Sequence, residues 1–144
     1  MRQLLAVTVT LSSLLLANHA ARAQNVQVVV DRLTDYWARG DAGSIAGLAA
    51  RDGVSLDVDG RTVGPLSARQ ATALLRRLFD ERQTINVRLM SAQIVGGRPS
   101  RASGEISWMM RPRGTTIPEK TSVFVALVLE DDRWRVTEIR FVRP

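Results

Sequence analysis

The hydrophobic pattern of this chain changes its period at Gln83, and that change limits the possible folds more than any other feature. Before Gln83, apolar residues recur at the three- and four-residue spacing of amphipathic helices. After it, apolar and polar residues alternate almost to the end of the chain, as in strands with one buried face. Helices followed by a run of consecutive strands predict an α+β fold built on an antiparallel sheet.

Three helices are predicted before this change. The first carries one apolar stripe, formed by Val26, Val29, Val30, Leu33 and Trp37. Gly40 is expected to end that helix, and Asp41 to cap a second, short one. Ser67 and Gln70 have the spacing of a capping box at the start of the third helix. Its apolar face comprises Ala71, Leu74, Leu75, Leu78 and Phe79.

One short strand, Val54–Gly60, is predicted between the second and third helices, and the segment RTVGPL after it is predicted to be a loop. Four longer strands follow Gln83. In the last of them, strict alternation predicts Trp134, Val136 and Glu138 on one face and Thr137, Ile139 and Phe141 on the other. The expected architecture is a curved antiparallel sheet of four long strands plus one short early strand, wrapped around three N-terminal helices as a cone-shaped roll.

The N-terminal segment has the pattern of a secretory signal peptide. A basic residue precedes the apolar run at residues 4–17, and Ala-Arg-Ala at residues 21–23 matches a small-x-small cleavage site. The run is shorter than the roughly 20 residues that span a bilayer. We therefore expect residues 1–23 to be removed, leaving residues 24–144 as a single exported domain, periplasmic or secreted, without a stable membrane anchor.

Cleavage there would remove His19, which is the single histidine of the 144 residues, and the sequence has no cysteine. A chain without imidazole or thiol excludes Cys nucleophiles, Ser-His-Asp triads and zinc sites with His or Cys ligands. We expect no metal and no cofactor. Removing Arg2 and Arg22 from the 20 basic residues leaves 18 against 14 acidic ones. This modest excess, with no aromatic residues among the loop arginines, argues against nucleic acid as a partner.

Four sequence segments together resemble a known superfamily. They are RGD at Arg39–Asp41, GDAGSIAGLAARDGVSLDV, the helix LSARQATALLRRLF, and the hairpin VFVALVLEDDRWRVTEIRF at Val123–Phe141. In this order the chain resembles the nuclear-transport-factor-2-like domains, also described as cystatin-like α+β rolls. More narrowly, it resembles a branch of small exported domains of unknown function. Independently of this resemblance, a curved sheet wrapped around helices leaves a cone, with a mouth where a ligand could sit.

The same superfamily includes ketosteroid isomerase and polyketide cyclases, which suggests positions for catalytic groups. Matching the GD segments puts Asp57 where the isomerase has its proton-transferring carboxylate. The position of the isomerase tyrosine falls on Leu33, and that of its second acid falls near Val125. This chain therefore has a matching residue for only one of the three catalytic roles of the isomerase. The resemblance implies no isomerase activity, because the groups that stabilise the enolate oxyanion are missing.

Six residues are the candidates for a site. Asp57 is the catalytic candidate if it points into a pocket, and an ordinary solvated strand residue if Leu56 and Val58 face the core instead. The candidates for a ligand pocket are Leu33, Tyr36, Trp37, Trp108 and Glu138. Trp37 is also expected in the core, and Glu138 can equally form an ion pair with Arg140 on the outer sheet face.

Three hypotheses about function follow. The first is a non-enzymatic domain that binds a small hydrophobic ligand or another protein. The second is a carboxylate-based isomerase, dehydratase or cyclase, with Asp57 as base and Tyr36 or Glu138 assisting. The third, a polyanion-binding surface, groups four arginines that flank two loops, Arg98, Arg101, Arg111 and Arg113. Separately, apolar residues on both faces of the Thr121–Glu130 strand suggest a homodimer that covers the face without helices.

Overall fold

The computed structural model describes Asn18, Ala21 and residues 25–144. The predicted signal peptide, with His19 and its cleavage site, therefore lies outside the described residues, apart from Asn18 and Ala21, which are helical and exposed. Its removal stays a prediction. Among the described residues, no helix combines the length and apolar character needed to cross a membrane.

The three helices form where the sequence predicts them. They are α1 (residues 25–38), α2 (Ala42–Ala46) and α3 (Ala68–Glu81). The stripe of α1 is buried, since Val26, Val30, Leu33 and Trp37 are each at most 1% exposed. Asp41 caps α2 by accepting a hydrogen bond from the backbone of Ser44, and the capping box of α3 is complete.

The sheet has six strands and is mixed, which corrects the prediction of five antiparallel ones. The strands are β1 (Val54–Val58), β2 (Arg61–Leu66), β3 (Arg82–Gly96), β4 (Arg101–Pro112), β5 (Glu119–Glu130) and β6 (Arg133–Val142). Their order is β2-β1-β6-β5-β4-β3, and β1 runs parallel to β6 while the other neighbours are antiparallel. The result is an α+β fold with a curved, open, mixed sheet and few helices.

The segment predicted to be a loop is β2. Asp59 and Gly60 both have positive φ angles, of 54° and 77°, and join β1 to β2 as a two-residue hairpin turn. An Asp-Gly dipeptide favours this turn, so the sequence carried the signal. The apolar alternation that marks a strand was absent, because β2 lies at the sheet edge and five of its six residues are exposed.

A β-bulge in β6 overturns the predicted faces of the last strand. Val125 pairs with Ile139 and Leu127 with Val136, so Thr137 is an extra residue in the ladder. Because of this insertion, Trp134 and Val136 share the buried inner face with Ile139, and all three are at most 3% exposed.

The core lies between the concave face of the sheet and the helices α1 and α3. At its centre, Trp37 packs edge-on against Phe79 and Trp108, with ring centroids 5.3 Å and 5.5 Å apart. Phe141 closes the cluster, at 5.7 Å from Trp37. These four rings occupy the centre of the cone.

Candidate functional site

The main candidate site is an open cleft between α3 and the β1–β2 hairpin, with a volume of about 590 Å³. We call it the apolar cleft. Its apolar walls are Leu56, Val58, Val63, Leu74, Leu75, Leu78 and Phe141. Alternation in β1 turns Leu56 and Val58 towards the helix, while helical spacing brings Leu74 and Leu78 to the opposite wall. The volume suits a small ligand.

Charged side chains surround this cleft. Asp59 forms an ion pair of 3.0 Å with Arg143, and Glu81 lies 3.6 Å from Arg82. The other two rim cations are Arg61 on β2 and Arg77 on α3. Within the described part of the chain, neither has a carboxylate within 4.0 Å. The rim therefore carries two unneutralised positive charges, one on each wall of an apolar groove.

A narrow extension leads from this cleft towards the aromatic core. It measures about 20 Å³ and is bounded by Trp108, Met110 and Thr121. That is room for about one water molecule. The cone interior behind the apolar cleft is thus packed with side chains, and this extension is too small for a ligand larger than water.

The candidate pocket residues are placed in different surroundings. Leu33 and Trp37 lie in the closed core at 0% exposure, and the indole N–H of Trp37 has no hydrogen-bond partner among the described residues. Trp108 donates from Nε1 to Thr84 at 3.0 Å and borders the narrow extension. Tyr36 is half-buried at the end of α1. Of these four, the structure brings Trp108 alone against the cavity that continues the apolar cleft.

Glu138 lies on the outer sheet face, where it accepts hydrogen bonds from Arg140. Nε and Nη2 of Arg140 donate to Oε1 of Glu138 at 3.1 Å and 2.7 Å. This carboxylate, by hydrogen bonding and by its charge, raises the pKa of Arg140 above its ordinary value. This ion pair with Arg140 is the second of the two alternatives predicted for Glu138 from the sequence.

Asp57 also faces away from the apolar cleft. Its neighbours Leu56 and Val58 line that cleft, so alternation turns Asp57 to the opposite side of β1. Oδ2 lies 4.0 Å from Nε of Arg140, and the side chain is 18% exposed. Oδ1 is buried and has no hydrogen-bond partner among the described residues. Asp57 and Glu138 therefore share one guanidinium on the outer face.

Sequence reasoning missed the residues that form the apolar cleft. Arg77 was not among the candidate residues, and Val63 and Arg61 were assigned to a loop. The signals available were the Asp59-Gly60 turn and the wide apolar stripe of α3, which extends to Leu74 beyond the buried Leu75 and Leu78. No cluster of acidic or histidine side chains suited to a metal ion occurs among the described residues.

Comparison with known proteins identifies the fold. No family model and no curated protein sequence matches the chain. A solved structure of a protein of unknown function from Mycobacterium tuberculosis is similar at a TM-score of 0.68 and 12% identity, covering 90% of this chain and 75% of that one.

Three further structures agree with this likeness. A domain of unknown function with a cystatin-like fold from Nostoc punctiforme has a TM-score of 0.65 at 13% identity, covering 86% of this chain and 78% of that one. A DUF4783 family protein from Bacteroides uniformis has a TM-score of 0.61 at 12% identity, covering 77% and 93%. The protein Rd1NTF2 with a long sheet matches at 0.63 and 17% identity, covering 81% and 99%. The chain therefore has the cystatin-like, nuclear-transport-factor-2-like fold, which it shares with several domains of unknown function.

Proposed function

We propose that this chain is an exported, non-enzymatic domain that binds a small amphipathic molecule in the apolar cleft. The observation that carries the proposal is the open groove itself, whose walls are leucine, valine and phenylalanine side chains. Exposed apolar surface gathered in a concave site favours an apolar ligand, because binding removes that surface from water. The export part of the proposal is supported by the N-terminal sequence pattern.

The charges of the rim support a ligand with an anionic head. Arg61 and Arg77 stand on opposite walls without a carboxylate partner among the described residues, whereas Asp59 and Glu81 each lie beside an arginine. An anionic group at the cleft mouth would be attracted by both arginines, while the apolar body of the same molecule covered the leucines below.

A fluorescence titration tests the ligand proposal. The neutral apolar dye N-phenyl-1-naphthylamine is titrated into the purified chain, followed by displacement with medium-chain carboxylates. We expect Leu74→Glu to weaken dye binding at least about tenfold, since it buries a charge against the dye. The control Ile85→Glu adds the same charge at a residue that is 48% exposed on another element. Equal binding by wild type and Leu74→Glu, with both folded, would overturn the proposal.

The alternative is a carboxylate-based isomerase, dehydratase or cyclase acting on a small hydrophobic substrate. The observation that favours it is Oδ1 of Asp57, which is buried and has no hydrogen-bond partner among the described residues. Native mass spectrometry of the chain purified from its own host separates the two proposals. An amphiphile retained by the wild type supports binding. A substrate that stays bound and unchanged in the Asp57→Asn variant supports catalysis.

We also propose that the outer sheet face pairs with a second copy of the chain. Phe124 projects from β5 on this face and is 40% exposed, and Met109 on β4 is 38% exposed. Val128, which strand alternation would place on the same face of β5, is itself buried at 6%. The apolar area offered at this face is therefore centred on Phe124.

A further inference from the structure

A second cleft, of about 600 Å³, lies where the end of α1, the start of β3 and the β4–β5 loop meet. Four arginines line it, Arg39, Arg82, Arg111 and Arg113, and we call it the basic cleft. Among the residues that the structure describes, its lining includes no carboxylate. Like charges gathered in one concavity repel each other, so their arrangement needs a physical explanation.

Arg111 and Arg113 are held in place by neutral groups. Nη2 of Arg111 donates to Oε1 of Gln83 at 2.5 Å, across the β3–β4 pair. The backbone N–H of Arg113 donates to the carbonyl of Glu81 at 2.9 Å, and its Nε donates to the carbonyl of Asp80. These contacts fasten the β4–β5 loop to the C-terminal end of α3. Both guanidinium groups are oriented while their charges stay unneutralised by carboxylates.

Arg39 is likewise positioned by a neutral partner. Its guanidinium carbon lies 5.4 Å from the ring centroid of Tyr36, one turn earlier in the chain. Arg82 is the exception, because its Nη1 lies 3.6 Å from Oε2 of Glu81. Among the described residues, Arg39, Arg111 and Arg113 have no carboxylate within 4.0 Å. The cleft thus keeps three guanidinium groups outside ion pairs, although the charge of Arg39 also acts on Asp41 beyond that distance.

A hydroxyl group adds a further donor. Thr84 Oγ1 accepts a hydrogen bond from Nε1 of Trp108 at 3.0 Å, which leaves its own hydroxyl hydrogen free to donate. Thr84 lines the same cleft. Guanidinium groups and a hydroxyl that converge on one cleft are the groups that recognise the oxygens of phosphate-like anions.

We propose that the basic cleft binds a compact oxyanion that carries two or more negative charges, of the inorganic phosphate or pyrophosphate class. Binding would neutralise the mutual repulsion of arginines that the fold already holds in position. The site is independent of the apolar cleft, with which it shares Arg82 alone.

An extended polyanion suits the structure less well. The sequence grouped Arg98 and Arg101 with Arg111 and Arg113, and the structure separates these pairs to opposite ends of β4, a correction of that grouping. Twelve residues of strand put the two ends roughly 36 Å apart. Only Arg111 and Arg113 of the four reach the basic cleft, so the charge is concentrated and not arranged as a track.

Isothermal titration of inorganic pyrophosphate into the purified chain, at pH 7.5 and low ionic strength, tests the proposal. We expect saturable binding by wild type that weakens as sodium chloride is added, because salt screens these charges. The double variant R39Q/R111Q should lose at least about tenfold in affinity, since each lost guanidinium removes a charged hydrogen bond. The matched control R98Q/R101Q removes the same charge at the far end of β4 and should stay within about twofold of wild type.

Three outcomes would overturn the proposal. They are no saturable binding of pyrophosphate or phosphate by wild type, an equal loss in both double variants, and retention on heparin without affinity for either small anion. Circular dichroism and Tm of each variant establish that it is folded. Because Arg113 anchors the β4–β5 loop, R113Q is compared separately, and R113K tests whether charge at residue 113 restores binding. These arginine substitutions should leave dye binding in the apolar cleft unaffected. A failure of this proposal can therefore be distinguished from a failure of the ligand proposal.

Discussion

Gly104 lies so close to Val30 that a methyl group at residue 104 would sit 2.9 Å from Cγ1 of Val30 and 2.9 Å from Cγ2 of Val125. Glycine is needed here because α1 presses onto the sheet, and the reason is space rather than backbone conformation. We expect Gly104→Ala to lower the free energy of unfolding by about 1–3 kcal/mol through overpacking. Urea denaturation measures this loss.

A second substitution tests the cause. In the double variant Gly104→Ala, Val30→Ala, the close contact of the added methyl group with Val30 is removed while that with Val125 stays, so the two changes should be less harmful together than their sum. The control Gly43→Ala lies in α2, where an added methyl group meets nothing closer than 3.9 Å, and it should stabilise slightly because alanine favours the helix. Strict additivity of the first pair would show that contact with Val30 is not the cause.

Arg140 links two carboxylates on neighbouring parallel strands, Glu138 beside it on β6 and Asp57 opposite it on β1. We expect Arg140→Met to lower Tm by a few degrees, because it leaves two acids on one face without their shared cation. In the Asp57→Asn background the loss should be smaller, since an amide needs no counter-ion. Thermal unfolding of the four proteins in this cycle measures the coupling. A loss of equal size in both backgrounds would show that Asp57 does not use Arg140.

The fold was predictable where the physical signal is local. The buried stripe of α1 and the capping box of α3 follow from helical spacing and from side chains within one turn, and both are confirmed. The alternation of β4 places Ile106 and Trp108 inside, where they are 0% and 1% exposed. These features depend on neighbours a few residues away along the chain.

The unpredicted features depend on distant partners. The bulge at Thr137 exists because β6 must match β5 on one side, and its hydroxyl donates to the carbonyl of Ala126 at 3.2 Å. The parallel pairing of β1 with β6 joins residues about eighty positions apart, such as Leu56 and Ile139. The apolar cleft depends on that pairing, because it is what brings the β1–β2 hairpin beside α3. The hydrophobic periodicity of the sequence alone does not predict such contacts.

Asp41 makes the stability of α2 depend on pH. Hydrogen bonds from the hydroxyl and the backbone N–H of Ser44 lower the pKa of Asp41 below the ordinary value of an aspartate. A carboxyl group whose pKa is lowered by folding stabilises the folded state above that value, and this contribution is lost as pH falls through the folded pKa. We expect Asp41→Ala to lower Tm by a few degrees at pH 7 and by less below about pH 4.

The variant Asp41→Asn serves as the control for titration. Its side-chain oxygen can still accept from the backbone of Ser44, but it does not ionise, so its Tm difference from Asp41→Ala should not change with pH. Differential scanning calorimetry between pH 2.5 and pH 7 compares the three proteins. A wild-type advantage over Asp41→Ala that persists unchanged at the lowest pH would contradict an ionised cap.

Phe124 provides the test of self-association. At micromolar concentration, we expect size-exclusion chromatography with light scattering to give a mass about twice that of one chain, and Phe124→Glu to give the mass of one chain. A carboxylate at the centre of an apolar interface would be buried without a partner on both copies. The control Ile117→Glu adds the same charge in the β4–β5 loop, at a side chain that is 74% exposed, and should leave the dimer intact. A wild-type mass of one chain, or dissociation of both variants alike, would remove the outer sheet face as the interface.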